Sequence, residues 1–352
     1  MHKNKKPNPL NSISPGKIIY PVIIGFGVVG YMLYREFDVS AFDVIHFTNK
    51  SYFWLLVAVL CMIIRDVGYM VRIKVLTDNE FTWRQAFRVI MLWEFTSAVT
   101  PSAIGGTSLA ILFVHKEGIG VGRSSAVVMA TSFLDELYFI LMFPLLLLFL
   151  NASDLFAIGG GFSITNAFLL FALIGYSVKF LYIVILSYGL FRNPRGLKWL
   201  LLMIFKLPIL RRWKHGANEA GTEIIESSRE LKIRPFSFWF KAFVSTFFSW
   251  TARYWVVNAM FLAFFVVPDH VLLFARQLVM WIMMLVSPTP GGSGFSEFVF
   301  KNYLSDFLPE IAGIAIIMAL LWRLLTYYPY LFIGAAMLPK WIKDKFLDND
   351  FA

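Results

Sequence analysis

The sequence predicts an all-α polytopic membrane protein, with six spanning helices and two opposed re-entrant broken-helix hairpins in an inverted-repeat-like arrangement. Three observations predict it. Of 352 residues, 58% are hydrophobic and 15% charged, against about 25% charged in a typical soluble domain. Apolar segments long enough to cross a bilayer recur along the chain instead of occurring once. Two further apolar segments are interrupted, one at Thr100-Pro101-Ser102-Ala103-Ile104-Gly105-Gly106 and one at Ser287-Pro288-Thr289-Pro290-Gly291-Gly292-Ser293-Gly294.

Residues 1–16 form a tail carrying Lys3, Lys5 and Lys6. The apolar run 17–34 imitates a signal peptide, but no A-x-A-like site follows it, so a retained first span is expected. Further spans are expected at 51–76, 122–150, 162–190, 236–266 and 309–338. About 20 apolar residues suffice to cross, and the longer segments can tilt. The hairpins occupy 82–117 and 271–305. In each, a helix of about five turns leads in and a shorter one leads out. Prolines at the break remove backbone donors and glycines admit left-handed backbone, so no continuous helix passes through. Such backbone survives inside a bilayer only where protein or a polar cavity satisfies it. Paired breaks of this kind build the midplane sites of inverted-repeat transporters. Residues 17–338 thus read as one transmembrane domain, with a cytoplasmic tail at 339–352.

Charge sets the orientation. With the lysine-rich N-terminus inside, the loop 35–50 falls outside and Arg72, Lys74, Arg84 and Arg88 fall inside. A re-entrant 82–117 returns Lys116 and Arg123 to the same face. The loop 151–161, without a cation, is then outside, and the basic segment 192–235 is inside with Lys340, Lys343 and Lys345. Every basic cluster obeys the positive-inside rule. A single crossing at 82–117 would put the most basic loop outside. Both termini are therefore expected in the cytoplasm of a plasma (inner) membrane protein. Segment 192–235 mixes Leu200, Leu201, Ile204 and Phe205 with cations, which suits an amphipathic stretch on the inner leaflet. The net charge of +10 reflects these loops facing anionic headgroups, and no nucleic-acid partner is expected. The single cysteine, Cys61, excludes an internal disulfide and a cysteine-built metal site; neither metal nor cofactor is expected.

Counting about ten residues into each span reaches the midplane. The count lands near Arg65-Asp66, on Glu94, on Asp135-Glu136, near Arg253 and on Arg323; Glu297 follows the second break. Each such charge costs about 2.5–3.5 kcal/mol even on the lenient insertion scale. Taken singly, any pair could be a salt bridge that fixes helix register. Taken together at one depth, beside two helix breaks, they point to a substrate pathway. The half-helix after each break also offers its N-terminal amides to phosphate or carboxylate. The transport-site candidates are Arg65, Asp66, Glu94, Pro101, Gly105, Gly106, Asp135, Glu136, Arg253, Pro288, Pro290, Gly291, Gly292, Gly294, Glu297 and Arg323; no catalytic residue is assigned.

Pro288-Thr289-Pro290-Gly291-Gly292-Ser293-Gly294-Phe295-Ser296-Glu297 resembles the P-x-P-G-G-x-G-x-x-E signature of the lysylphosphatidylglycerol synthase transmembrane family, also called flippase-like or UPF0104. Pro101 with Gly105-Gly106 is similar to the family's earlier P-x-x-x-G segment, and Asp135 to its aspartate in the next span. Arg323-Leu324-Leu325-Thr326-Tyr327-Tyr328-Pro329, with Gly334 beyond, resembles its last-helix motif. The chain departs from the pattern at Gly106-Thr107, where an acid is usual, and at Ser132-Phe133, where an arginine is usual.

The resemblance implies the membrane half of the family's bifunctional members, without their soluble aminoacyl-transferase domain. Its expected work is to move an anionic or aminoacylated phospholipid, or a lipid-linked headgroup, between leaflets, with that lipid as the partner. A second copy of the chain or an envelope enzyme are the other partner classes left open. The alternative is a polyprenyl-phosphate-dependent glycosyltransferase or another lipid-processing enzyme, with the acids as general base. Transport is the expectation over catalysis, because no H-E-x-x-H cluster or P-S-G-H motif accompanies the acids; with no P-loop visible, its energy would come from a gradient or the movement would be passive.

Overall fold

The computed structural model describes residues 45–99, 103–157, 162–204, 206, 214–284, 292–311 and 313–347. The expected span 17–34 lies outside them, as do Pro101, Pro288, Pro290 and Gly291. The described residues are helical and contain no strand. The helices are α1 (Asn49–Leu76), α2 (Trp83–Val99), α3 (Ala103–Lys116), α4 (Val121–Leu147), the single turn α5 (Ala152–Leu155), α6 (Phe162–Phe191), α7 (Pro194–Ile204), α8 (Lys214–Lys232), α9 (Phe236–Phe264), α10 (His270–Met284), α11 (Phe295–Leu304), α12 (Ile314–Thr326) and α13 (Tyr328–Ile342).

Among the described residues, four stretches are long and apolar enough to cross a bilayer: Asn49–Leu76, Val121–Leu147, Ala172–Gly189 and Ile314–Phe346. The expected span at 236–266 forms the 29-residue α9, whose roughly 43 Å would cross a bilayer. It is not among the four, because it carries Lys241 and Arg253 and a series of serines, threonines and tryptophans. Its polar residues Ser245, Thr246 and Ser249 are buried. They pack on α1, where Ser249 Oγ donates to the carbonyl of Arg65 at 2.9 Å. At the other end of the pair, Ser51 Oγ donates to the carbonyl of Ala263 at 2.8 Å. So α1 and α9 run antiparallel.

The expected last span, 309–338, is not one helix. It begins at Ile314 and is interrupted between α12 and α13 at Tyr327, where φ is −127° and ψ −56°. Pro329 is the cause: it has no N–H to donate to the preceding turn and disfavours helical backbone just before it.

The segment 82–117 folds back on itself. Gln85 Nε2, near the start of α2, donates to the carbonyl of Glu117, just past the end of α3, at 3.0 Å. Arg88 closes the same end on the Glu117 carboxylate at 2.7 Å. The segment 271–305 does likewise: Arg276 on α10 donates to the carbonyl of Tyr303 on α11 at 3.1 Å and pairs with Asp306 at 2.7 Å. The open ends lie at opposite ends of the α1/α9 pair. The first adjoins the C-terminus of α1, where Arg234 before α9 binds Asp78 at 2.8 Å. The second follows the C-terminus of α9, which meets the start of α1.

Two hydrophobic cores result. One gathers α1, α2, α3, the first half of α4 and α13. The other gathers the second half of α4, α10, α11 and α12. On α4 the change of core falls between Leu134 and Tyr138, and on the last helix between Ala319 and Tyr327. Asp135, Glu136 and Arg323 occupy those gaps.

Candidate functional site

The polar residues at the junction come from three stripes with one spacing: Arg65, Tyr69 and Arg72 on α1; Thr246, Trp250 and Arg253 on α9; Arg323, Tyr327 and Tyr330 on the last helix. Positions i, i+4 and i+7 lie on one helix face, so α1 and α9 each present a row, and the third runs across the interruption at Tyr327, from Arg323 of α12 to Tyr330 of α13.

Arg65 is fully buried and bridges two carboxylates, Asp66 at 2.9 Å and Glu94 of α2 at 2.6 Å. Tyr330 OH donates to both oxygens of Asp66 at 2.9 Å. The guanidinium carbon lies 4.8 Å from the ring centroids of both Tyr69 and Tyr330, within the range of cation–π attraction. The arginine is thus enclosed, while Asp66 and Glu94 keep 22% and 26% of their side-chain surface open.

Two turns further along α1, Arg72 repeats the arrangement. It binds Asp135 of α4 at 2.5 Å and reaches Thr246 Oγ1 at 3.2 Å. Trp250 Nε1 donates to the same carboxylate oxygen at 2.7 Å. Tyr69 lies between the two arginines, with its centroid 4.6 Å from the Arg72 guanidinium carbon, and meets Trp250 edge to face. Arg253 lies one turn beyond, 5.4 Å from the Trp250 ring. Among the described residues it has no carboxylate within ion-pair distance. The network therefore holds its paired arginines behind partly open acids and leaves one cation available.

At the second break the backbone is left-handed, with φ of 69° at Gly292 and 81° at Gly294, a region glycine enters without a Cβ clash. Gly294 N donates to Glu297 Oε2 at 2.8 Å, and Ser296 Oγ to the same oxygen at 2.8 Å. The anion at the start of α11 is therefore the chain's own Glu297, which leaves that helix end less open to phosphate than the sequence suggests. Arg323 Nε binds the other oxygen, Oε1, at 2.8 Å.

Tyr327, in the last helix's break, joins both folded-back segments. Its hydroxyl donates to the carbonyl of Ala98, at the tip of α2, at 3.1 Å. It accepts from Ser293 Oγ at 3.4 Å, and its ring lies 4.0 Å from the Arg323 guanidinium carbon. Close approach is secured at Gly334, where a Cβ would stand 2.2 Å from that of Phe95.

The remaining candidates are placed differently. Glu136 faces away from Asp135 and pairs with Lys179 of α6, whose ammonium lies 4.2 Å from the Trp281 centroid. Gly105 and Gly106 fall within the first turn of α3.

The family model described as lysylphosphatidylglycerol synthase TM region matches residues 18–334. The chain belongs to that family. It is also 28% identical over 319 residues to a UPF0104 membrane protein of Archaeoglobus fulgidus, covering 86% of this chain and 90% of the relative. The chain is accordingly a multi-pass membrane protein of the UPF0104 type. Its departure at Ser132-Phe133 has a structural counterpart: the arginine opposite Asp135 comes from another helix, as Arg72 of α1. The depth count overlooked Arg72, Tyr69, Thr246, Trp250 and Tyr330. The i, i+4, i+7 spacing from Arg65, from Arg253 backwards and from Arg323 would have found them.

Proposed function

We propose that the chain is a lipid flippase, moving an anionic or aminoacylated phospholipid or a lipid-linked headgroup between the leaflets of a plasma membrane. In this reading 82–117 and 271–305 are re-entrant hairpins entering from opposite leaflets. Both termini lie on the cytoplasmic side, where the basic loops would face anionic lipid. The observation that carries the reading is the polar network at the junction of the two cores, at the depth where the hairpin tips meet Tyr327. Ionisable groups are kept at that depth when they line a pathway.

The network suits a headgroup bearing both charges. Arg253, with no carboxylate within ion-pair distance among the described residues, takes the phosphate. Asp66, Glu94 and Asp135 pair with arginines and keep an open edge, which can receive an amine. Movement of one hairpin and its core against the other then exposes the site to each leaflet in turn.

The test is headgroup translocation in proteoliposomes, followed by chemical quenching of outer-leaflet fluorophores. Labelled anionic, aminoacylated and polyprenyl-phosphate lipids are compared, for the native chain and Arg253→Gln. Faster translocation of one class, lost in the variant, supports the reading. Rates equal to protein-free vesicles for all three classes refute it.

A further inference from the structure

A cavity of about 430 Å³ lies apart from this network, on the outer side of α4 and α9. That volume falls within the ~300–1,000 Å³ of ligand pockets. Its walls are apolar: Phe133, Leu137 and Leu141 from α4 face Trp239 and Phe243 from α9. Phe133, Trp239 and Phe191 meet edge to face, with centroids 5.3–6.0 Å apart, and stiffen one wall. At its mouth stand Lys232 and Arg234. Beside them Ile233 and Phe236 are 78% and 81% exposed, as befits residues in contact with acyl chains.

The two cations differ. Arg234 is held by Asp78 and, at 3.8 Å, by Glu230. Lys232 is exposed, and among the described residues it has no carboxylate within ion-pair distance. An apolar slot with one available ammonium at its rim, at the bilayer end rich in basic residues, is complementary to one kind of molecule. The slot fits an acyl chain, and the ammonium fits a phosphate.

We propose that this groove is a lateral docking site for an anionic glycerophospholipid, with an acyl chain between α4 and α9 and the phosphate on Lys232. The inference rests on the chain's being a lipid-handling membrane protein, and it deepens the flippase reading. The groove shares α4 with Asp135 and α9 with Trp250 and Arg253, and Trp250 stands two turns from Phe243 on one face of α9, so a lipid held there waits beside the network.

Native mass spectrometry of the full chain, released from nanodiscs of phosphatidylcholine and phosphatidylglycerol, tests it. The native chain is expected to retain phosphatidylglycerol in preference to phosphatidylcholine. Lys232→Glu should lower retained phosphatidylglycerol about five-fold or more, the equivalent of one lysine's attraction to an anionic headgroup, and leave phosphatidylcholine unchanged. Leu137→Trp, which fills the slot, should lower retention of both lipids. Lys232 is at the surface, so its variant is expected to fold even if the tryptophan is not accommodated. Retention without headgroup preference, or undiminished in Lys232→Glu, overturns the proposal. Lys232→Glu read in the translocation assay separates the two: lost retention with translocation above protein-free vesicles supports the groove as a docking site beside the pathway, and unchanged retention overturns the groove whatever the translocation rate.

Discussion

Arg65 offers the sharpest test of the buried network. Replacing it with Met removes a fully buried cation and leaves Asp66 and Glu94, both previously bonded to it, as two negative charges sharing one site. Removing one partner of a buried ion pair costs about 3–5 kcal/mol, because the charge left behind is not compensated. Glu94→Gln should cost less, about 1.5–3 kcal/mol, the worth of one hydrogen bond to a charged group, since Arg65 keeps Asp66. The double variant retains one carboxylate, Asp66, already bound through both oxygens by Tyr330. Its loss should therefore fall short of the sum of the singles, with a coupling of about 0.5–3 kcal/mol. Unfolding of the purified proteins by SDS in mixed micelles measures all four corners of the cycle. Losses that add to within about 0.5 kcal/mol would mean that the two side chains do not interact in the folded protein, and the account of the network would be wrong.

Other variants separate structural from transport roles. Arg253→Gln should shift stability by less than about 1 kcal/mol, because no ion pair is broken, yet abolish headgroup translocation. Gly334→Leu should destabilise by about 1–3 kcal/mol or more through overpacking against Phe95, seen as a lower SDS midpoint. Tyr327→Phe removes the hydroxyl shared by Ala98 and Ser293 and should cost about 0.5–1.5 kcal/mol; an unchanged midpoint would disprove that bridge. Lys179→Met should destabilise by about 3–5 kcal/mol by stranding Glu136. Lys179→Met/Glu136→Gln should recover most of that loss in the same unfolding experiment.

Hydropathy located α1, α4 and α6, because long apolar runs have few alternatives to a helix in a bilayer. The left-handed backbone at Gly292 and Gly294 was legible for a similar reason, since glycine acts on the backbone itself; of the break expected at 100–106, residues 103–106 are helical and 100–102 lie outside the described residues. The interruption at Tyr327 was harder to read: a lone Pro329 inside an apolar run is compatible with a bent helix as well as a broken one, and composition does not distinguish them. The pairings were the least legible. Depth counting put Arg72 at the membrane edge and treated it as a topological charge, but in the fold it binds Asp135. Depth is one coordinate, and partner choice needs the azimuth as well, which the i, i+4, i+7 rows supply. Glu136 shows the same limit in reverse. Sharing a depth with Asp135, it lies about 100° around the helix from it and pairs with α6 instead.

The rows on the last helix carry an energetic consequence. Arg323, Tyr327 and Tyr330 contact three different elements, α11, the tip of α2 and the C-terminal half of α1. The α12–α13 segment therefore ties the second folded-back segment to the charge network of the first half. Within each core the contacts are apolar and close-packed, and displacing such side chains opens cavities costing several kcal/mol. Between the cores Ser293 of the second segment is tied to Tyr327 by a hydrogen bond, worth about 0.5–1.5 kcal/mol net, while Phe243, Trp250 and Leu325 pack against both cores. The left-handed glycines of the second segment and the interruption at Tyr327 both fall at this junction, where the proposed transport reading needs the two cores to part.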